Sequence, residues 1–289
     1  NTRYVNFADC APKTAPNPGM LIRFGEKTAS PFLVSFGKKQ AVNGDFFFSA
    51  SHMYRSMKCV YSDTAPASDC PMPLLSLLPD LGVMTARQCS DSGKGMFLAA
   101  KGGHNGEMHN HNDVGSFIFA KGGRQLLVDT GAGRYTRQYF SLERYGIFEP
   151  SSRSHSVPVV NGEYQMVGEE YSAYNVEYSA GVFSMDIAGA YPKSGVTSIH
   201  RTFLMNDDAV RLTDKYVMGD GDVGVERFVT DVEPTLTSSD TILIGDATVR
   251  FDPTSAELTV NTEDGSSGKY YLLDFTLKRG IKEFGIEIK

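Results

Sequence analysis

Residues 116–129 read Ser-Phe-Ile-Phe-Ala-Lys-Gly-Gly-Arg-Gln-Leu-Leu-Val-Asp. Two apolar runs, Ser116 to Ala120 and Arg124 to Asp129, stand on either side of Lys121-Gly122-Gly123. Paired glycines tolerate the positive φ of a tight turn, so the stretch reads as an antiparallel β-hairpin.

The same texture continues outward. From Gly82 onward short apolar runs are punctuated by Gly, Asp, Asn and Pro, the pattern of antiparallel sheets. Candidate strands are Val83 to Arg87, Met96 to Ala100, Val182 to Ala190, Ser198 to Leu204, Val210 to Val217 and Glu226 to Thr230, followed by Thr248 to Phe251, Glu257 to Asn261, Tyr270 to Leu277 and Glu283 to Ile288. So many strands imply a large antiparallel two-sheet β-sandwich, because a single open sheet of that size leaves a face unburied. The first eighty residues differ. Leu21, Phe24, Leu33 and Phe36 recur at roughly helical spacing, with Pro31 as a break, and Gly44 to Val60 has helical character. The expected organisation is a mainly β chain, with a helical segment over 1–80 and the sandwich over 81–289.

The 289 residues are 41% apolar and carry a net charge of −6. That balance argues for a folded chain and against a general nucleic-acid binder, while leaving room for a local basic groove. No apolar run approaches the length of a membrane span. The opening Asn-Thr-Arg-Tyr-Val-Asn-Phe lacks the basic start and apolar core of a signal peptide, so the chain reads as a mature protein or an excised fragment. Cys10, Cys59, Cys70 and Cys89 fit no Cys-x-x-Cys metal pattern. Cys59 and Cys70 flank a Ser/Asp/Pro/Ala-rich loop and are expected to pair if the protein is exported.

The chemistry is densest just before the hairpin, in Lys101 to Asp113, Lys-Gly-Gly-His-Asn-Gly-Glu-Met-His-Asn-His-Asn-Asp. Three of the six histidines, His104, His109 and His111, lie here beside Glu107 and Asp113. In extended chain, His109, His111 and Asp113 project to one side, and such a pair of imidazoles suits zinc ligation or proton transfer. The same residues also fit a polar loop whose histidines are merely solvated. Asp129 ends the apolar strand Gln125-Leu126-Leu127-Val128 where it opens into Thr-Gly-Ala-Gly, as a ligand or as a turn-initiating carboxylate. His155 likewise precedes an apolar run.

Read together, Gly-Gly-His-Asn-Gly-Glu-Met-His-Asn-His-Asn-Asp-Val-Gly-Ser-Phe, Leu-Leu-Val-Asp-Thr-Gly-Ala-Gly-Arg-Tyr-Thr, Ser-Leu-Glu-Arg-Tyr and Ser-His-Ser-Val-Pro-Val-Val-Asn-Gly resemble the core of the heparinase II/III-like family. That resemblance implies a polysaccharide lyase built from an N-terminal α/α toroid and a C-terminal antiparallel β-sandwich. The helices before about Leu78 then correspond to the end of the toroid, whose remainder belongs to the same parent protein. The substrate class implied is an acidic, uronic-acid-containing polysaccharide, glycosaminoglycan- or alginate-like, cleaved by β-elimination. Carried over by position, the resemblance implies a Zn2+ site of His111, Asp129 and His155, with His109 facing the substrate. Tyr135 and Tyr145 are the candidate cleft tyrosines, and the expected location is secreted or periplasmic. Two alternatives are a non-catalytic carbohydrate-binding β-sandwich and a cupin-like metal enzyme, although the latter should show a following Glu and His at shorter, regular spacing.

Overall fold

The structure of the protein, a computed structural model, describes residues 5–11, 17–43, 71–91, 93–179 and 181–289. These fall into two compact units. The described residues of the first form two helices. Helix α1 (Pro18–Lys27) starts at Asn17, whose side chain accepts the Met20 backbone N–H at 3.1 Å, and Pro18 occupies the first turn, where its missing N–H costs nothing. Helix α2 (Pro31–Asn43) restarts at Pro31, so the expected break falls where it was read. The helical expectation for Gly44 to Val60 lies outside the described residues, as do Cys59 and Cys70 and their expected pairing. Cys10 and Cys89 are free thiols.

The second unit comprises residues from Val5 to Ala11 and from Leu74 to the end of the chain. Its strands in chain order are β1 (Leu75–Leu78), β2 (Val83–Arg87), β3 (Met96–Lys101), β4 (His104–Asn105), β5 (Phe117–Lys121), β6 (Arg124–Leu127), β7 (Val159–Val160), β8 (Gly168–Ser172), β9 (Tyr174–Ser179) and β10 (Val182–Asp186). There follow β11 (Ser198–Met205), β12 (Val210–Val217), β13 (Gly224–Thr230), β14 (Thr235–Ser238), β15 (Thr241–Ile244), β16 (Ala247–Phe251), β17 (Ala256–Gly265), β18 (Gly268–Leu277) and β19 (Glu283–Ile288). They form sheets ordered β1-β2-β3-β5-β6, β14-β15-β16-β19-β12-β11-β10-β9, β17-β18-β13-β7 and β4-β8, and the pairings are antiparallel.

The first and third of these sheets are joined by the Val128 N–H donating to the Val229 carbonyl at 2.9 Å, and both turn apolar side chains toward the eight-stranded sheet. Phe117 of β5 packs on Phe203 of β11 at 5.4 Å between ring centroids and on Phe228 of β13 at 5.7 Å. Alternation produces this core. Along β11 the buried residues are Ile199, Arg201 and Phe203, and along β12 they are Val210, Leu212, Asp214 and Tyr216. The sandwich read from the sequence is therefore present, with one of its layers divided into two sheets.

The hairpin is β5 and β6, and Gly122 and Gly123 take φ values of +56° and +79° at its turn. The run expected to be strand from Val182 to Ala190 stops at Asp186. Its carboxylate there accepts the backbone N–H groups of Ala188 at 2.9 Å and Ile199 at 3.1 Å, turning the chain into a short 3-10 helix over Ala188–Ala190. Strands β8 and β14, absent from the sequence reading, contain no buried residue and lack an alternating apolar face. Among the described residues no helix is long and apolar enough to cross a membrane.

Candidate metal and active site

Apart from the two residues of β4, the dense segment between β3 and β5 is a folded loop rather than an extended strand, so its side chains diverge. His109 adopts φ +59° and exposes 62% of its side chain, whereas His111 is fully buried. Asp113 turns away to Lys101, whose Nζ donates to Oδ1 at 2.7 Å and also lies 3.2 Å from Glu107. Burial works against the Lys101 ammonium, but these two carboxylates outweigh it and raise its pKa. His104 accepts the Gly106 N–H at 3.1 Å and stays within its own turn. Gly106 is required because a Cβ there would stand 2.5 Å from the Glu169 backbone nitrogen. The local His-x-His-x-Asp cluster does not converge.

The dispersed set does. His111, Asp129 and His155 come from the loop before β5, the end of β6 and a turn before β7, and each offers one ligand atom within 4.8 Å of the others. All three are buried. His111 Nδ1 and His155 Nε2 face each other at 3.2 Å, and the same His155 nitrogen lies 3.0 Å from the Glu149 carbonyl. Asp129 Oδ2 lies 3.1 Å from the other nitrogen of His155. Burial alone would raise the Asp129 pKa, but the His155 charge and hydrogen bond lower it. Burial likewise opposes the His155 imidazolium, and Asp129 outweighs that penalty and raises its pKa. For His111, burial lowers the pKa. Two imidazoles and a carboxylate buried together form a donor set of the kind that can hold a metal ion.

Above this pocket sits a carboxylate that the sequence did not single out. Asp9, whose side chain is 3% exposed, accepts at Oδ1 from Arg144 Nη2 at 2.8 Å, His111 Nε2 at 3.0 Å and the Tyr139 hydroxyl. At Oδ2 it accepts from His109 Nδ1 and the Tyr135 hydroxyl, each at 3.2 Å. Burial alone would raise its pKa, but hydrogen bonds from His111, Tyr139 and Arg144 and the Arg144 charge hold it well below the carboxylate range. Arg144 stacks over the Tyr139 ring at 4.1 Å and donates to the Asn110 carbonyl at 2.9 Å. Tyr135 is half exposed, while Tyr145 is partly buried and its hydroxyl is approached by Asn110 Nδ2 at 3.4 Å. Arg144 lay within the quoted Ser-Leu-Glu-Arg-Tyr motif, whereas Asp9 and Tyr139 carried no local signal.

The family model described as heparinase II/III-like, C-terminal, matches residues 71–272. The chain belongs to the heparinase II/III-like family. Solved structures similar to this heparinase II/III-like chain include the heparan sulfate lyase HepC from Pedobacter heparinus, at TM-score 0.72 and 14% identity, covering 99% of this chain and 43% of that one. A heparinase III gene product with methylated lysines follows at TM-score 0.68 and 12% identity, covering 100% and 44%. Another structure, of heparinase III, has TM-score 0.61 and 14% identity, covering 100% and 44%. At these identities the likeness shows the fold. The chain spans less than half the length of each of these neighbours. Comparison with curated proteins yields no match.

Proposed function

We propose that this chain is the C-terminal part of a polysaccharide lyase that cleaves a uronic-acid-containing polysaccharide by β-elimination, with His111, Asp129 and His155 holding a structural Zn2+. One observation carries the reading: an exposed imidazole and an exposed tyrosine hydroxyl, His109 and Tyr135, share one carboxylate oxygen directly above a buried His/Asp/His set. β-Elimination needs a base for the C5 proton, charge stabilisation of an enolate-like intermediate and an acid for the departing glycosidic oxygen. His109, bonded to Asp9 through Nδ1, keeps Nε2 free to accept or return a proton. Tyr135 is favoured over Tyr145 as the second proton-handling group, because Tyr135 stands at the surface and shares the Asp9 carboxylate with His109, whereas Tyr145 is partly buried. The exposed Arg134 and Arg137 flank Tyr135 and give an acidic chain a basic rim suited to an anionic polymer. Zinc, when bound, supplies a fixed positive charge and cross-links three separated segments. The remaining groups of the site belong, on this reading, to a helical toroid domain of the same parent protein, and a secreted or periplasmic location is part of the proposal.

The test is a pair of substitutions in the parent protein. His109→Ala should reduce turnover by roughly a hundredfold or more, with zinc content and melting temperature nearly unchanged. His111→Ala should lose metal, stability and activity together. Loss of zinc in His109→Ala to the same degree would show that both histidines chelate and would overturn this division. A sugar-binding sandwich without catalysis would give no unsaturated product from the parent protein at all.

A further inference from the structure

His109 and His111 stand two residues apart and carry, on the reading above, different chemistry, so something must give them different tautomers. Asp9 contacts both. Its carboxylate is acceptor-only, and each of its oxygens meets a different histidine nitrogen: Oδ2 meets Nδ1 of His109 and Oδ1 meets Nε2 of His111. Each of those nitrogens must then carry the hydrogen. His109 is left with an unprotonated Nε2 on its exposed side, and His111 with an unprotonated Nδ1 directed at His155, 3.2 Å away.

The surrounding backbone is built to hold this arrangement. The Asp9 N–H donates to the His109 carbonyl at 3.3 Å, so the two residues are tied through main chain and side chain together. Ala8 and His109 both adopt φ +59°, a left-handed region that strains a residue with a Cβ and persists only where the surroundings enforce it. The segment is pinned at its other end by the fully buried Asn6, whose Nδ2 donates to the Asp129 carbonyl at 3.0 Å. One segment far from the motif in sequence therefore reaches both the ligand-bearing end of β6 and the two histidines.

We propose that Asp9 is a positioning residue that sets opposite tautomers on His109 and His111, presenting Nε2 of the first outward for proton transfer and Nδ1 of the second inward as a metal ligand. The catalytic meaning of this assignment rests on the lyase reading, but the assignment itself does not. Tyr135, on Oδ2 beside His109, and Arg144 and the Tyr139 hydroxyl, on Oδ1 beside His111, complete the carboxylate's contacts and hold it between the two rings.

The test is nuclear magnetic resonance of the histidine-labelled chain at alkaline pH, where an exposed imidazole is neutral. The ring-nitrogen shifts of the unsubstituted protein should report a proton on Nδ1 of His109 and on Nε2 of His111. The same tautomer on both rings, or the reverse pair, overturns the proposal, and this measurement needs no variant to fold. Asp9→Asn, whose carboxamide has a single acceptor oxygen, should change the tautomer of at least one ring while far-ultraviolet circular dichroism stays native. Unchanged tautomers on both rings in a folded Asp9→Asn also overturn it. In the parent protein, Asp9→Asn should lower kcat by about 10- to 100-fold, the scale of lost partners to site histidines, with KM nearly unchanged. If the parent protein proves to have no lyase activity, the function proposed above fails while the tautomer result still decides the role of Asp9.

Discussion

Arg201 Nη1 donates to the carbonyl of Ser156 at 2.9 Å, the residue immediately after the candidate ligand His155. The same nitrogen donates to Gly115 at 2.8 Å, four residues after His111. Arg201 is fully buried, and its Nη2 also meets Asp214 Oδ2 at 2.6 Å and Glu226 Oε2 at 2.9 Å. A charged cluster inside the sandwich thus holds the two loops that carry the candidate histidine ligands.

Removing this guanidinium takes one donor from each of two buried carboxyl groups and two backbone carbonyls. Arg201→Met should destabilise the chain by about 3–5 kcal/mol, measured by chemical denaturation. Arg201→Lys should recover little of that loss, because an ammonium cannot span the carboxylates and both carbonyls at once. Full stability in Arg201→Met would show that the cluster is dispensable.

Glu226 provides a pH signature. Burial raises its pKa well above the ordinary value near 4.5, the Asp214 charge adds to this, and Arg201 opposes it. The native state therefore holds a proton that the unfolded chain releases. The associated stability is complete below about pH 4.5 and is lost as pH rises through the raised native value. Unfolding free energies measured in steps from mildly acidic to alkaline pH should fall for the native sequence. Glu226→Gln, which cannot ionise, should flatten that decline, and identical slopes would contradict the assignment.

Chelation tests the buried His/Asp/His set without reference to catalysis. A ligand at 100 times its Kd adds about 2.7 kcal/mol to the folded state, so stripping a bound ion should lower the melting temperature and restoring zinc should recover it. Elemental analysis should give about one zinc per chain, with the metal lost in both His111→Ala and His155→Ala. Full occupancy in both variants would remove the site.

The chain by itself should release little or no unsaturated uronic acid, followed by ultraviolet absorbance, while the parent protein releases it readily. The reason is the share of the fold involved, since the chain spans 43% of the HepC structure it resembles. Robust product from the isolated chain would mean that this portion of the parent protein suffices.

Local chemistry made much of this protein legible in one dimension. Apolar alternation and the Gly122-Gly123 turn announced an antiparallel sandwich, because side-chain period and positive φ are properties of a few consecutive residues. The ordered motifs around His111, Asp129 and His155 led to the three residues that converge. Only the tertiary structure decided that Asp113 leaves the histidines for Lys101, since that choice depends on a fold in the loop set by positive φ at His109. Only it revealed Asp9, more than a hundred positions from Tyr135, and Arg201, an inward arginine in a strand whose pattern reads as core. Both act through hydrogen bonds between residues distant in the chain, and such contacts leave no periodicity or spacing in the sequence. The fold therefore followed from the order of residues, whereas the partners of its buried charges followed from packing.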